Sequence, residues 1–230
     1  MNWWYSEFCV GIICFVYKLF AFLKCHLFEL RLEEILEVSQ KLFEGIKRHS
    51  EISPECQIKI AARLTRKTIK KKQYYLHEGQ IAKSAAFVLS GCLRSYSIDE
   101  NGFEHILQFA PQNWWITDMY SYISEKECYL NINALEDTEV LLLTRRDQLN
   151  LFDEVPALER YFRIITENSL VNSHRRLLDN LALPAKDRYL KFCQVYPTLV
   201  NTLPQKQIAQ YLGITPEFLS KVRNESYKKR

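Results

Sequence analysis

The sequence predicts an α+β protein: an N-terminal antiparallel β-roll, a long connecting helix and a C-terminal helix-turn-helix domain. Three observations predict it. Short runs of aromatic and β-branched residues are stopped by glycines and turn residues between Tyr74 and Leu143, the apolar spacing becomes helical after Asp147, and Gln205 to Arg223 has the spacing of two short helices joined at a glycine. A length of 230 residues allows one large domain or two small ones, and 47% hydrophobic with 25% charged residues excludes a disordered or collagen-like chain. The expected division is an apolar extension over residues 1–40, the roll over 41–150, a connecting and dimerisation helix within 151–183, and the helix-turn-helix domain over 184–230.

Phe8 to Leu23 is almost wholly apolar, but at 16 residues with Lys18 inside it it falls short of the ~20 that span a hydrocarbon core. Met1 to Tyr5 has no Lys or Arg and no small-residue cleavage site follows, so a signal peptide is not expected. Trp3, Trp4, Tyr5, Lys24 and His26 could serve as interfacial anchors. Membrane association stays open without being favoured over a buried or amphipathic extension, or a start upstream of the true one. Seven scattered cysteines (Cys9, Cys14, Cys25, Cys56, Cys92, Cys128, Cys193) form no C-x-x-C pair. They predict buried thiols in a reducing, cytoplasmic setting.

Leu30 to His49 reads as helix from its apolar spacing, and Ser53-Pro54-Glu55 opens another that runs to about Leu64, with Ser53 as N-cap. A basic stretch, Arg66 to Lys72, precedes the strands: Tyr74–Leu76, Phe87–Leu89, Leu93–Ile98, Phe103–Phe109, Ile132–Leu135 and Glu139–Leu143. Asn101-Gly102 marks a hairpin, because a tight turn needs positive φ at its centre. The many antiparallel strands predict a β-roll or jelly roll. Pro156 starts the long helix, on which Ile164, Val171 and Leu178 lie seven apart. That spacing predicts the dimer seam, with a simple core-facing helix as the alternative. A further helix runs from Ala185 to Tyr196.

In the helix-turn-helix, Gly213 permits the left-handed turn residue, and Ile208, Ala209, Leu212, Ile214, Leu219 and Val222 fill the space between the helices. Thr215 caps the second helix, whose face of Glu217, Ser220 and Lys221 is expected to enter a DNA major groove while Phe218 turns toward the core. Lys206, Arg223, Lys228 and Lys229 are expected to neutralise phosphates. The net charge is +4, yet nine Lys/Arg against three Asp/Glu from Pro184 onward leave the rest of the chain at −2. A basic appendage on a slightly acidic body suits a polyanion partner.

This order of helices, glycine-punctuated roll, long helix and terminal helix-turn-helix resembles the cyclic-AMP receptor protein and fumarate-nitrate regulator (Crp-Fnr) family of bacterial transcription regulators. The resemblance covers roughly Leu42 to Arg223 and is carried by Glu78-Gly79, Phe87 to Tyr96, Asn101-Gly102 with Glu104, Ala134 to Asp137, and the helix-turn-helix. It implies a cyclic-nucleotide-binding-like jelly roll in a homodimer that binds double-stranded DNA and is not an enzyme, with RNA polymerase left open as a further partner. Three departures limit it. The places of the family's Gly-Glu and Arg-Ser/Thr cassette hold Ile116-Thr117 and Cys128-Tyr129, so cyclic AMP is not expected and no cofactor is. Cys9, Cys14 and Cys25 are spaced too widely for the iron–sulfur branch. Only seven residues follow Arg223, so no C-terminal wing is expected, and the family's base-reading Arg-Glu pair stands as Pro216-Glu217.

Two other function classes are weighed against a DNA-binding regulator. A cupin-type metal enzyme would need His77, Glu78 and His105 to converge. A membrane-tethered sensor or scaffold would use the helix-turn-helix for packing alone. In the segment that replaces the cassette, Trp114, Trp115 and Tyr120 are expected to pack the roll rather than hold a nucleotide.

Overall fold

The computed structural model describes residues 29–227. The extension's apolar run, Cys9, Cys14 and Cys25, and Lys228 and Lys229 lie outside the described residues. Helical residues 29–38 (α1), α2 (Gln40–Lys47) and α3 (Pro54–Ala61) lead into eight strands. These are β1 (Thr65–Ile69), β2 (Tyr74–Leu76), β3 (Ser84–Ser90), β4 (Cys92–Ile98), β5 (Glu104–Pro111), β6 (Trp115–Ile116), β7 (Asn131–Ala134) and β8 (Thr138–Thr144), with α4 (Met119–Ser124) between β6 and β7. Then come α5 (Arg145–Glu154), α6 (Pro156–Ala182), α7 (Ala185–Val195), α8 (Gln205–Leu212) and α9 (Pro216–Tyr227).

The strands form two four-stranded antiparallel sheets, ordered β1-β8-β3-β6 and β2-β7-β4-β5. Their side-chain alternation sorts the core into three parts. Inside the roll lie Ala86, Val88, Leu93, Ile132 and Val140. Outside the first sheet, Phe87, Leu141 and Leu143 meet Phe43, Ile46, Leu151, Leu158 and Tyr161 from the helices. Outside the second sheet, Cys92, Tyr96, Ile106 and Phe109 share one buried cluster with Phe192, Tyr196, Ile208, Leu212, Leu219 and Val222. Both faces of both sheets are therefore covered, and the helix-turn-helix helices are the cover on one of them.

Several expectations need correction. The helix expected over Leu30–His49 is interrupted at Ser39, which is buried and opens α2. Ser53 does cap α3, accepting from Cys56 N at 3.2 Å, but the helix ends at Ala61 in a tight turn closed by Arg63 N→Ile60 O and Leu64 N→Ala61 O. The basic stretch hides β1. Two of its charges are answered by carboxylates on neighbouring elements, Arg66 by Glu34 and Glu139 and Lys70 by Asp137, while Lys67 stays exposed on this edge strand, which pairs with β8. The helical spacing expected after Asp147 is two helices and not one: α5 starts at Arg145 and ends before Pro156, with only Gln148 and Leu151 of it buried.

Gly91, between β3 and β4, has φ +84°, and a Cβ there would lie 2.7 Å from Asp137 O and 2.8 Å from Thr138 Cα. Both contacts are backbone and cannot swing aside. Gly91→Ala is expected to destabilise the fold by at least about 2 kcal/mol in urea unfolding, more than the penalty of ~1–2 kcal/mol for a left-handed non-glycine residue at the open position of Gly102.

Candidate nucleic-acid interface and the cleft of the roll

Helix α8 presents Ile208, Ala209 and Leu212 to the buried cluster and ends at Gly213, whose φ of +65° turns the chain as the sequence predicts. Its last carbonyls, which an α-helix leaves without internal partners, are taken by two guanidinium groups. Arg176 on α6 donates to Tyr211 O at 2.9 Å, and Arg188 on α7 donates to Leu212 O at 2.6 Å. Cations suit this end of a helix, where the dipole is negative. Arg176 also donates to Ile106 O at 2.7 Å and to Leu107 O on β5, and lies 3.8 Å over the Tyr211 ring. One side chain thus joins α6, the roll and the helix-turn-helix. Around it Phe109, Phe192, Tyr196 and Tyr211 form a set of ring contacts 5.2–6.2 Å between centroids, and Trp114 adds its ring to Tyr196 at 5.5 Å.

Thr215 caps α9, its Oγ1 accepting from Phe218 N at 3.2 Å. Leu219 and Val222 are buried, while Glu217 and Lys221 are exposed on the other side, with Lys206 exposed and Arg223 half-buried. Among the described residues no ion pair joins Glu217 to Lys221. Two assignments change. Ser220 is half-buried and its hydroxyl bonds to Gln205 Oε1 at 2.9 Å and Pro216 O at 3.1 Å, so it ties α9 to α8 rather than presenting a free donor. Phe218, expected in the core, is 49% exposed.

On α6, the turns carrying Leu158, Tyr161 and Ile165 pack against the roll. Beyond them Val171 is 48%, Leu178 63% and Leu181 77% exposed, while Ile164 is half-buried. Arg176 points away from this stripe, because at ~100° per residue it falls roughly opposite the stripe's centre.

The segment that replaces the cassette is held by the protein itself. Asp118, 2% exposed, caps α4 by accepting from Ser121 N at 2.9 Å and reaches Tyr129 N at 3.1 Å. Ser121 Oγ accepts from Ala82 N at 2.8 Å. Ile116 is buried inside the roll, and Thr117 donates to Ser84 O. Cys128 is buried with its thiol donating to His77 O at 3.0 Å, and burial holds that thiol above its ordinary pKa. Beside it opens a shallow cleft of about 570 Å³ lined by Glu78, Ile81, Tyr120, Lys126, Glu127 and Tyr129, among others. Its lining has one ammonium, two carboxylates and no guanidinium. Trp115 packs as expected, against Phe87 and Phe162 with its Nε1 donating to Tyr161 OH at 3.2 Å. Tyr120 does not: it is 44% exposed and faces Tyr129 across 5.0 Å at the cleft.

His77 stacks on Tyr74 at 3.8 Å, and His105 pairs with Asp99 at 2.8 Å on the hairpin. The described residues contain no group of three His, Cys, Asp or Glu placed to hold a metal, and no helix among them is long and apolar enough to cross a membrane. Sequence reasoning missed Asp118, Arg176 and Arg188. An aspartate directly before an apolar helical turn was a readable capping signal for the first, whereas nothing local marks an arginine whose partners are carbonyls on distant elements.

Residues 66–155 match the family described as the cyclic nucleotide-binding domain. No curated protein matches the sequence. The chain is similar to FixK2 from Bradyrhizobium japonicum, with a TM-score of 0.64 and 20% identity over 72% of this chain and 85% of that one. It is similar to the c-di-GMP-responsive global regulator CLP of Xanthomonas campestris, with a TM-score of 0.62 and 12% identity over 77% and 93% of the two chains. A protein from Eubacterium rectale assigned to the Crp/Fnr family of transcriptional regulators gives a TM-score of 0.59 and 15% identity over 77% and 85%. The fold is the one these Crp/Fnr-type regulators share, a cyclic-nucleotide-binding β-roll followed by a C-terminal helical domain.

Arg176→Met removes a charged donor from three carbonyls at the junction of roll, α6 and α8. It is expected to cost about 1.5–3 kcal/mol in thermal unfolding and to speed protease cleavage in the stretch from Tyr196 to Pro204, between α7 and α8.

Proposed function

We propose that the chain is a homodimeric, sequence-specific DNA-binding transcription regulator of Crp/Fnr type, with a roll that does not take a cyclic nucleotide. The observation that carries the reading is α9: a capped helix with its apolar side buried against α8 and α7 and an exposed side bearing Glu217 and Lys221. Helices of this kind place the side chains of their first turns against base edges. Glu217 is suited to accept from a cytosine amino group and Lys221 to donate to guanine, while Lys206, Arg223, Lys228 and Lys229 would neutralise phosphates. Regulators of this fold are not enzymes, and no role in chemistry is assigned to any residue here.

Dimerisation is assigned to the exposed stripe of α6, since two recognition helices must reach half-sites about 34 Å apart. Ile164, Val171 and Leu178 form its seven-residue spacing, and Leu181 extends it to the end of the helix. RNA polymerase remains a further partner to be tested.

The absence of a cyclic-nucleotide response is argued from charge and satisfaction. The Asp118 carboxylate already accepts from Ser121 N in the first turn of α4 and from Tyr129 N, and the cleft offers two carboxylates to one ammonium. An incoming phosphate would be an anion without compensating donors. CLP is c-di-GMP-responsive, so the fold alone does not fix one effector.

Selection of bound fragments from random duplex DNA tests the main reading. A shared two-fold-symmetric site is expected. With that site in hand, Glu217→Ala should relax preference at one base position per half-site, and Lys206→Ala should weaken all sequences alike and lower the salt slope by about one unit. Unchanged preference in a folded Glu217→Ala protein removes that residue from base reading.

The dimer is tested by sedimentation of the Val171→Asp, Leu178→Asp double variant, which should run as a monomer; a dimer would place the interface elsewhere. Tryptophan fluorescence titrated with cyclic AMP or cyclic GMP should stay flat, and a saturable micromolar change would contradict the reading of the cleft.

A further inference from the structure

We infer that Phe218 reads the C5-methyl group of thymine, which makes it a specificity-determining residue of the recognition helix. The inference rests on the DNA-binding reading of α9 and deepens it. Among the apolar residues from Ile208 to Val222, those that pack the domain are accounted for: Ile208, Ala209, Leu212, Leu219 and Val222 are buried. Phe218 is left out of that cluster at 49% exposure, and no ring contact among the described residues engages it.

Its position is fixed by the helix start. The Phe218 backbone N–H is bonded to the Thr215 cap, which places the ring in the first turn of α9, next to Glu217 and one turn before Lys221. That is the part of a recognition helix that meets base edges. About half of this apolar ring is left in water and outside the buried cluster, so its chemistry points to what it meets in a complex. The major-groove edge of a duplex carries one apolar feature, the thymine methyl, and phenylalanine is among the side chains that contact it. Glu217 and Lys221 lie together on one side of the ring and supply one acceptor and one donor. Together they read a cytosine or guanine edge beside a methyl.

Phe218 lies outside the buried cluster with about half its surface exposed, so a variant there leaves the protein testable. The experiment uses the full-length chain and a duplex that the chain itself has selected from random DNA. Each thymine of one half-site is replaced in turn by deoxyuridine, which lacks only the methyl. The expected result is one position per half-site at which the wild type loses about fourfold in affinity, the equivalent of one buried methylene at ~0.8 kcal/mol. Phe218→Ala should bind the selected duplex more weakly and show no difference between thymine and deoxyuridine there, with its circular dichroism unchanged.

Phe218→Leu, which keeps an apolar contact, should retain part of the difference. If the wild type binds the selected duplex but no thymine shows methyl dependence, or if Phe218→Ala keeps it, the inference is overturned while DNA reading stands. If the chain selects no duplex, the reading of α9 falls and this inference with it.

Discussion

The apolar outer face of the second sheet is the constraint on which the rest of the molecule depends. Cys92, Tyr96, Ile106 and Phe109 project from β4 and β5 away from the interior of the roll, and two of them are aromatic. Such a face cannot stay in water, since each large side chain is worth ~1.5–3 kcal/mol on burial. The chain covers it with α7, α8 and α9, so the helix-turn-helix is built into a core that belongs to the roll. Its orientation is set by packing and not by the short Leu183-Pro184 connection. The end carbonyls of α8 and the β5 carbonyls go to Arg176 and Arg188, while Arg188 Nε, Gln207 Oε1 and Gln210 Oε1 are buried there with no hydrogen-bond partner among the described residues.

Much of this was legible in the sequence because local and global preferences agree. The strands of the roll are bounded by turn residues, Gly213 and Thr215 take the conformations their chemistry favours, and of the positions expected between the helices Ile208, Ala209, Leu212, Leu219 and Val222 are buried and Ile214 half-buried. The parts that were not legible share one cause, a dependence on partners distant in the chain. Strand β1 looks like a solvated basic run until Glu34, Asp137 and Glu139 are brought beside it. Strand β6 is two residues long, and its Trp115 is explained by Phe87, Tyr161 and Phe162. The break between α5 and α6 at Val155 rests on burial of Leu151, Val155 and Leu158 in a cluster supplied by α2 and the first sheet.

The error over Phe218 has a different origin. Positions 218, 219 and 222 are neighbours on a helical surface, so a wheel groups all three as one apolar side. In the structure the stripe that faces α8 and α7 is narrower and is centred on Leu219 and Val222, which puts Phe218 at its edge and in water. Periodicity gives the composition of a face but not its width, which depends on how closely the partner helix approaches. Ser220 shows the same limit from the polar side: the wheel groups it with Glu217 and Lys221 but gives neither its half-burial nor its bond to Gln205.

Helix α6 ties these features into one mechanical unit. Its first turns are buried against the roll, its last turns carry the exposed leucine stripe, and Arg176 on the opposite side grips both β5 and α8. A rotation or slide of α6 would therefore move the stripe and the arginine together, and with the arginine the end of α8. A ligand can shift such a unit only by binding two of its arrangements unequally. The cleft at Tyr120 and Tyr129 sits on the far side of Cys128, whose thiol bonds His77 O; His77 stacks on Tyr74, and Tyr74 shares a hydroxyl bond of 3.0 Å with Tyr96 in the cluster that seats the helix-turn-helix. Contacts thus run unbroken from the cleft to the domain junction. Continuity of this kind is a route and not a coupling energy, which exists only if the route has two discrete arrangements that both ends favour differently. The polar satisfaction of Asp118 and Ser121 argues that the cleft end is fixed. At the other end the junction is one buried cluster of β4, β5, α7, α8 and α9 with two guanidinium groups added, so a second arrangement there would have to repack that cluster as a unit.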